Sequence, residues 1–385
     1  LTANKSADTH ILAGPQPSVT ISDDDLRFMQ LALTLGRRGL GRTWPNPAVG
    51  SLVVKDGVVL GRAWTSEGGR PHAETQALAQ AGSAARGATL YVTLEPCSHH
   101  GKTPPCADAI IDAGIGRVVS AMDDPNPKVA GQGHARIRAA GMALDVGLCA
   151  EEARRDHAGH IRRITEGRPH VTLKLALSAD EKIGASGRRP FQITGEEVRT
   201  RVHMFRAQSD AILVGVGTAL ADNPQLNCRL PGMEPRSPVR VIVDRHLRLP
   251  PSGYLAKTAR KHPLWIFSGS GAEASRAALL SAEGAEIVHV ADSGRGVDLA
   301  AVLKELGRRG VTRLMVEGGA RVAASFVEAG LADEVWLYRG PVTIGADGVA
   351  ALDGLALTDV TQSPHYRVRA TEELGRDQLT IYERT

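Results

Sequence analysis

The chain has 385 residues, of which 42% are apolar and 23% charged, and its formal net charge is +4. That length suits two domains of ordinary size with room for a third, and the composition excludes both a disordered chain and one carrying the 18–20-residue apolar run of a membrane helix. So small and evenly spread a charge does not argue for nucleic acid, and aromatics at 4% leave little for base stacking. Four cysteines are too few for a disulfide framework, so a reduced, cytoplasmic chain with a metal or a reactive thiol is expected.

Leu1 to Ile21 carries Ala, Ser, Thr, Pro and Gly without periodicity and lacks the marks of a signal or transit peptide, so 1–21 reads as a loose tail; a start at Leu1 fits a processed end. Ser22 before three aspartates is an N-cap with an acidic first turn, ahead of Leu26, Met29 and Leu33, and Gly39 and Gly41 stop that helix. Ala48 to Lys55 reads as a strand, Asp56-Gly57 as a tight hairpin turn, and Val58 to Trp64 as the returning strand. A helix from Pro71 to Ala81, a strand at Ala88–Leu94, a helix at Pro105–Ala113, a strand at Arg117–Ala121, a helix near His134–Ala140 and a strand near Leu144–Val146 follow. This alternation predicts a mostly parallel sheet covered on both faces.

A charged helix over Glu151–Gly167, ahead of Pro169, marks the junction. Beyond it, Val171–Leu177 is a strand, a loop rich in Gly, Ser, Arg and Pro runs to Pro190, and Thr194 with Glu197 forms a capping box for a helix to about Gln208. Strands at 211–214, 239–243, 264–267, 286–290, 313–316, 334–338 and 378–382, with helices near 299–307 and 320–328, predict a second α/β domain. The expected organisation is a tail (1–21), a first domain (22–167) and a second (168–385).

The most specific chemistry lies in the first half. His72 and Glu74 open a helix after Pro71, Pro96-Cys97 follows a strand, and Cys106 stands at the start of the next helix. One imidazole and two thiolates suit the tetrahedral preference of Zn²⁺, and a helix N-terminus favours a thiolate. Three ligands leave a fourth position for water, which zinc acidifies to a pKa near 7, and a carboxylate two residues past the His can shuttle the proton. His-x-Glu followed by Pro-Cys-x-x-Cys is the signature of zinc nucleobase deaminases, although here eight residues separate the cysteines instead of two. The alternatives are a closed structural zinc site completed by Cys149 or Cys228, and two unrelated buried cysteines.

The segments Thr43–Gly50, Pro71–Glu74, Thr93–Cys106 and Asp123–Gly131 closely resemble the bifunctional riboflavin biosynthesis family, which joins a diaminohydroxyphosphoribosylaminopyrimidine deaminase to a 5-amino-6-(5-phosphoribosylamino)uracil reductase. The long spacing between the two cysteines is characteristic of that family, and the resemblance runs from Ser22 to the C-terminus. It implies a cytidine-deaminase-like α/β/α domain with His72, Cys97 and Cys106 as zinc ligands and Glu74 as proton shuttle. It also implies that Asn46 contacts the pyrimidine, that His99 and Lys102 hold the substrate, with Lys102 suited to a phosphate, and that Asp124 and Asn126 lie on the substrate side.

In the second half, Val214-Gly-Val-Gly-Thr218 and Glu317-Gly-Gly-Ala320 are Gly-rich strand-to-helix turns of the kind that bring backbone N–H groups to a phosphate. No dinucleotide fingerprint or P-loop is present. The resemblance implies a dihydrofolate-reductase-like α/β domain that binds NADPH, with Lys174, Arg206, Leu226, Arg229 and Glu317 toward substrate. Ala176, Gln192, Thr194, Thr218, Gly318 and Gly319 would face the cofactor, and Asp222 would lie near both as the catalytic candidate. Three features depart from the family pattern. Glu181 replaces a turn glycine, Gln192 replaces an aromatic beside Phe191 after an Arg188-Arg189-Pro190 loop, and Arg245 replaces a small hydroxyl residue and equally suits the 2′-phosphate of NADPH. The expected substrate is a small phosphorylated pyrimidine, with no nucleic-acid or membrane partner, and a homo-oligomer is compatible. The competing readings are a deaminase with a degenerate second domain and a nucleic-acid deaminase.

Overall fold

In the computed structural model, which describes residues 21–99, 104–127, 129–185, 192–294 and 296–385, two sheets follow one another along the chain. The expected cap opens helix α1 (Asp23–Arg37): the Ser22 hydroxyl accepts from the Asp25 N–H, and the Asp25 carboxylate takes the Ser22 N–H. The same buried carboxylate accepts from the Tyr91 hydroxyl at 2.6 Å and the Arg117 guanidinium at 2.7 Å, which ties the start of α1 to the sheet beneath it. Strands β1 (Gly50–Lys55) and β2 (Val58–Trp64) meet at Asp56-Gly57, both at positive φ as a type I′ turn needs.

Helix α2 (Ala73–Ala81), β3 (Thr89–Val92), α3 (Cys106–Asp112), β4 (Arg117–Ser120), α4 (Gln132–Ala139) and β5 (Ala143–Val146) complete the first sheet, in the order β2-β1-β3-β4-β5. Strands β3, β4 and β5 are parallel, but β1 runs antiparallel to both its neighbours. The sheet is therefore mixed instead of mostly parallel, because the Asp-Gly hairpin forces β1 and β2 into opposite directions. Gly61 lets α2 lie directly on β2: a Cβ there would come within 2.0 Å of the Ala77 carbonyl oxygen.

The charged segment expected as a single helix is two, α5 (Ala150–Asp156) and α6 (Ala158–Glu166), broken at His157. The His157 imidazole is buried, with Nε2 donating to the Thr93 carbonyl at 3.2 Å, and Gly159 brings α6 against the Thr312 carbonyl, 2.6 Å from where a Cβ would sit. Meeting both surfaces requires the bend.

The second half runs β6 (His170–Leu177), β7 (Lys182–Ala185), α7 (Glu196–Ala207), β8 (Ala211–Gly215), α8 (Val216–Asp222), β9 (Val239–Val243), α9 (Tyr254–Lys257), β10 (Leu264–Gly269), α10 (Ala274–Ala282) and β11 (Glu286–Val290). It continues through β12 (Asp292–Ser293), β13 (Gly296–Val297), α11 (Leu299–Arg308), β14 (Arg313–Val316), α12 (Ala320–Glu328), β15 (Glu334–Arg339), β16 (Gly348–Ala350), α13 (Thr358–Thr361), β17 (Tyr366–Leu374) and β18 (Asp377–Arg384). The large sheet has the order β11-β10-β9-β8-β14-β6-β15-β18-β17, parallel from β11 to β15 and antiparallel beyond. From β8 the chain proceeds outward to β9, and from β14 it crosses to β15 on the other side. Because β8 and β14 are neighbours, their C-terminal turns flank a topological switch point, where open α/β sheets bind ligands. Apolar clusters line the first sheet and both faces of the second.

One local expectation changes and another is met. Thr194 does not cap α7: Gly195 is the N-cap, and its N–H donates to the buried Asp377 carboxylate at 2.6 Å, so a carboxylate from the β17–β18 hairpin replaces a local cap. Glu181 adopts φ +62°, the left-handed turn conformation for which a glycine is better suited, and its carboxylate pairs with Arg339 at 3.1 Å. No helix among the described residues is long and apolar enough to cross a membrane. At the α2 contact, Gly61→Ala is expected to cost about 1–3 kcal/mol by overpacking against a backbone that cannot rotate away, read as a lowered midpoint in chemical denaturation.

Candidate active site

Residues from three separate loops and helix starts converge beside β3. His72 precedes α2, Cys97 lies beyond the end of β3, and Cys106 is the first residue of α3. His72 Nδ1 is 3.3 Å from Cys106 Sγ and 3.7 Å from Cys97 Sγ, and the three ligand atoms lie within 4.8 Å of one another. Zinc bonds of 2.0–2.3 Å at tetrahedral angles put ligand atoms about 3.6 Å apart for N–S and about 3.8 Å for S–S, so this triangle fits a zinc ion. Cys149 and Cys228 are not in the cluster. Hydrogen bonding from the Cys106 thiol holds Cys97 down at about 4, helped by the Cys106 backbone N–H, which donates to Cys97 Sγ at 3.3 Å; the same bond pushes Cys106 up. The hydrogen bond with Cys97 raises His72.

Glu74 points from the first turn of α2 into this cluster and is 3% exposed. Burial raises its carboxyl above the ordinary range, against the pull of His72, the direction that suits a group exchanging protons with a substrate. Asn46 donates to the Gly69 carbonyl at 3.0 Å, beside the loop that delivers His72. His99 is exposed just past Cys97, and Lys102 lies outside the described residues.

Asp124 and Asn126 sit on a turn whose shape is set by a residue that the motif analysis left without a role. Glu95 is buried, and its carboxylate accepts the N–H groups of Asp124 (3.0 Å), Gly131 (2.9 Å), Gly133 (2.8 Å) and His134 (3.2 Å). The available signal was an acidic residue at the end of an apolar strand. The Asp124 side chain accepts from the Asn126 N–H at 2.8 Å. Burial works to raise Asp124, but His160 and that N–H outweigh it and hold the carboxyl low.

In the second half, Glu317 follows β14 and grips Arg206 of α7 with two hydrogen bonds, 2.7 and 2.9 Å long. Burial works to raise Glu317, but Arg206 and Lys174 overcome it and leave its carboxyl at about 2. Lys174, on β6 next to β14, is lowered by burial and lifted back by Glu317. A cavity of about 410 Å³ is lined by Arg206, Asp222, Leu226 and Arg229, among others. Leu226 is held at φ +55°, a strained conformation for a bulky residue, and burial raises Asp222.

Across the switch point the Gly319 N–H donates to Thr218 Oγ1 at 3.0 Å, joining the two Gly-rich turns into one cradle that suits a phosphate-bearing cofactor. Ala176 is on β6, and Gln192 donates to the Thr194 carbonyl at 3.3 Å in the loop before α7. Arg245, beyond β9, is two strands from β14, about 10 Å along the same sheet edge, and pairs with Asp292 at 3.2 Å.

Residues 169–380 match the family model described as the RibD C-terminal domain, and residues 22–122 match the zinc-binding region of cytidine and deoxycytidylate deaminases. The riboflavin biosynthesis protein RibD of Aquifex aeolicus is 39% identical over 94% of this chain and 99% of its own length, and that of Escherichia coli is 36% identical over 92% and 97%. The chain belongs to the RibD family. Among solved structures, Acinetobacter baumannii RibD is 33% identical with a TM-score of 0.82, covering 94% of this chain and 99% of that one. The Thermotoga maritima protein, described as a diaminohydroxyphosphoribosylaminopyrimidine deaminase and 5-amino-6-(5-phosphoribosylamino)uracil reductase, is 36% identical with a TM-score of 0.81 over 94% and 98%. The RibD fold thus accounts for both halves: a cytidine-deaminase-like α/β/α unit and a dihydrofolate-reductase-like unit.

Glu95 generates the first test of this site. In Glu95→Gln the amide replaces one acceptor oxygen and leaves buried N–H donors facing N–H, at a cost of about 2–4 kcal/mol. Denaturation followed alongside both activities is expected to show that loss, with deamination impaired well before reduction.

Proposed function

We propose that residues 22–167 deaminate a phosphoribosylated diaminopyrimidine and that residues 168–385 reduce the sugar of the product, as the RibD family pairing implies. The chain is a zinc- and NADPH-dependent enzyme of riboflavin biosynthesis with deaminase and reductase activities. The observation that carries the assignment of residues is the His72–Cys97–Cys106 triangle with a buried, raised Glu74 beside it.

His72, Cys97 and Cys106 would hold the zinc, which supplies a Lewis acid for acidifying water. Glu74 takes the proton of the attacking water and returns it to the departing amino group, so water enters and ammonia leaves. Asn46, Asp124 and Asn126 orient the pyrimidine, and His99 and Lys102 hold the phosphoribosyl end.

In the reductase half, Ala176, Gln192, Thr194, Thr218, Gly318 and Gly319 would cradle NADPH, with Arg245 toward its 2′-phosphate; the cofactor supplies a hydride for C1′ of the ribosylamine. That C1′ belongs to the opened ribosylamine: the amine nitrogen expels O4′, which takes a proton managed by Asp222 or Lys174, and leaves C1′ as a C=N carbon able to accept the hydride. Arg206, Arg229, Leu226 and Glu317 form the substrate wall, where Glu317 holds the Arg206 guanidinium in place and that of Arg229 suits a phosphate. We read the substrate as a small molecule and not a nucleic acid, and the free cysteines and use of NADPH as those of a cytoplasmic enzyme. A homo-oligomer is compatible with this reading.

Two substitutions test the assignments separately. Glu74→Gln is expected to retain zinc by metal analysis while ammonia release falls about 10²–10⁴-fold, the usual weight of a general acid–base, and reduction of the deaminated intermediate continues; unimpaired deamination would remove Glu74 from its role. Asp222→Ala is expected to abolish NADPH oxidation with that intermediate and leave ammonia release intact.

A further inference from the structure

His160 lies in α6, outside both matched regions, and faces the Asp124 turn. Its side chain is 10% exposed, and among the described residues neither ring nitrogen has a hydrogen-bond partner. The nearest charged group is the Asp124 carboxylate, with Nε2 3.5 Å from Oδ1, close enough for charge pairing and long for a hydrogen bond. Other ties on the 124–126 turn fix its backbone: Glu95 takes the Asp124 N–H, Asp124 takes the Asn126 N–H, and the Asn126 carbonyl accepts from the Val129 and Ala130 N–H groups at 2.8 Å. His160 addresses the Asp124 carboxylate from outside its own loop, with His157 acting on it at longer range.

The same imidazole lines a polar cavity of about 10 Å³ between the halves, together with Asn46, His157, Asp156, Asp210 and Arg313. Asn46 and Asp124, both assigned to the pyrimidine, therefore converge on one face of α6. That helix, and the end of α5 that leads into it, are tied to the second half. Arg162 pairs with Asp333 at 3.1 Å, Arg163 donates to the Gly307 carbonyl at 3.2 Å, and Arg313 donates to the Arg155 and Asp156 carbonyls at 2.7 Å. Each of these partners belongs to the reductase half or to the helix end packed on it.

We propose that His160 is a positioning residue for deamination: it fixes the Asp124 carboxylate on the substrate side of the pocket, so a helix held by the reductase half completes the deaminase site. This rests on the reading of Asp124 as a substrate contact. His160 touches no reacting atom, and its loss therefore weakens substrate binding more than the chemical step.

The test uses the full-length, zinc-loaded enzyme, with ammonia release and NADPH oxidation measured separately for Asp124→Ala, His160→Leu, His160→Gln and the double variant Asp124→Ala/His160→Leu. In His160→Leu the deaminase KM should rise about tenfold, the weight of one interaction with a charged group, with kcat within about twofold. Reduction of the deaminated intermediate and zinc content should not change. His160→Gln, which still offers a donor to Asp124, should recover most of the affinity. In the Asp124→Ala background, His160→Leu should add nothing further.

If Asp124→Ala raises KM while His160→Leu does not, or if the two effects add in full, the role of His160 is wrong and the Asp124 reading stands. If Asp124→Ala leaves KM unchanged, the Asp124 reading fails and this inference falls with it. Should His160→Leu lose zinc or both activities, His160→Ala against His160→Gln reads the same split: better affinity with Gln supports the proposal, and equal KM values overturn it.

Discussion

Glu95 stands just past β3 with 3% exposure, where an uncompensated carboxylate is costly, and the surrounding chain responds by directing four backbone N–H groups at it. Two of those donors lie in the turn around Asp124 and the loop up to Gly131, and two lie in the first turn of α4. Cys97 is two residues further along the same strand exit. One side chain thus fixes the separation between a thiol of the metal triangle and the turn assigned to substrate. Among the described residues, neither the loop between β4 and α4 nor the exit of β3 has regular structure to define it, so the carboxylate supplies the register that a sheet would otherwise give.

The reductase half solves the same problem differently. There the buried charges answer one another: Glu317 is held by both arms of Arg206, and Lys174 shares the negative charge from the adjacent strand. A buried pair of this kind adds little net stability, but removing either member strands the other. Its value lies in placement. The Glu317 turn leaves β14 at the switch point, and the Thr218–Gly319 bond closes the crevice beside it, so the charged cluster and the cradle share one short stretch of chain. With its fork occupied by Glu317, Arg206 forms one wall of the cavity, and Arg229 brings a second guanidinium to the same space.

Much of this was legible beforehand because the responsible signals are local. The Ser22–Asp25 cap, the Asp56-Gly57 turn and the strands at 239–243, 286–290 and 313–316 follow from neighbouring residues, and His72, Glu74, Cys97 and Cys106 announce their chemistry by type and spacing. What escaped depends on distant partners. Gly195, not Thr194, caps α7 because Asp377 arrives from the far end of the chain. The break at His157 exists because two surfaces, Thr93 and Thr312, must be met at once. Strand β17 is the exception: Tyr366, Val368 and Ala370 alternate with Arg367, Arg369 and Thr371, a local signal absent from the expected strands, and it pairs with β18 at the sheet edge. Glu95 and His160 were visible as residues, but their roles depend on loops folding around them.

The two halves are not separate units on a flexible tether. Trp44 packs against the core of the large sheet, Arg236 donates to the Arg38 and Leu40 carbonyls at 2.9 and 3.0 Å, and α6 is pinned by Asp333 and Gly307. The first two contacts fall on the loop that leads into Asn46. The position of that loop therefore depends on the reductase half as much as on the sheet it emerges from. An α/β/α unit of this size has enough apolar core to fold, but its substrate-side loops lie at the edge away from that core, where backbone polar groups need partners to stay ordered. The reductase half supplies such partners on one side and Glu95 on the other. Fusion of the two activities in one chain then has a physical consequence beyond co-expression, since the second half forms part of the scaffold that holds the first half's pocket in place.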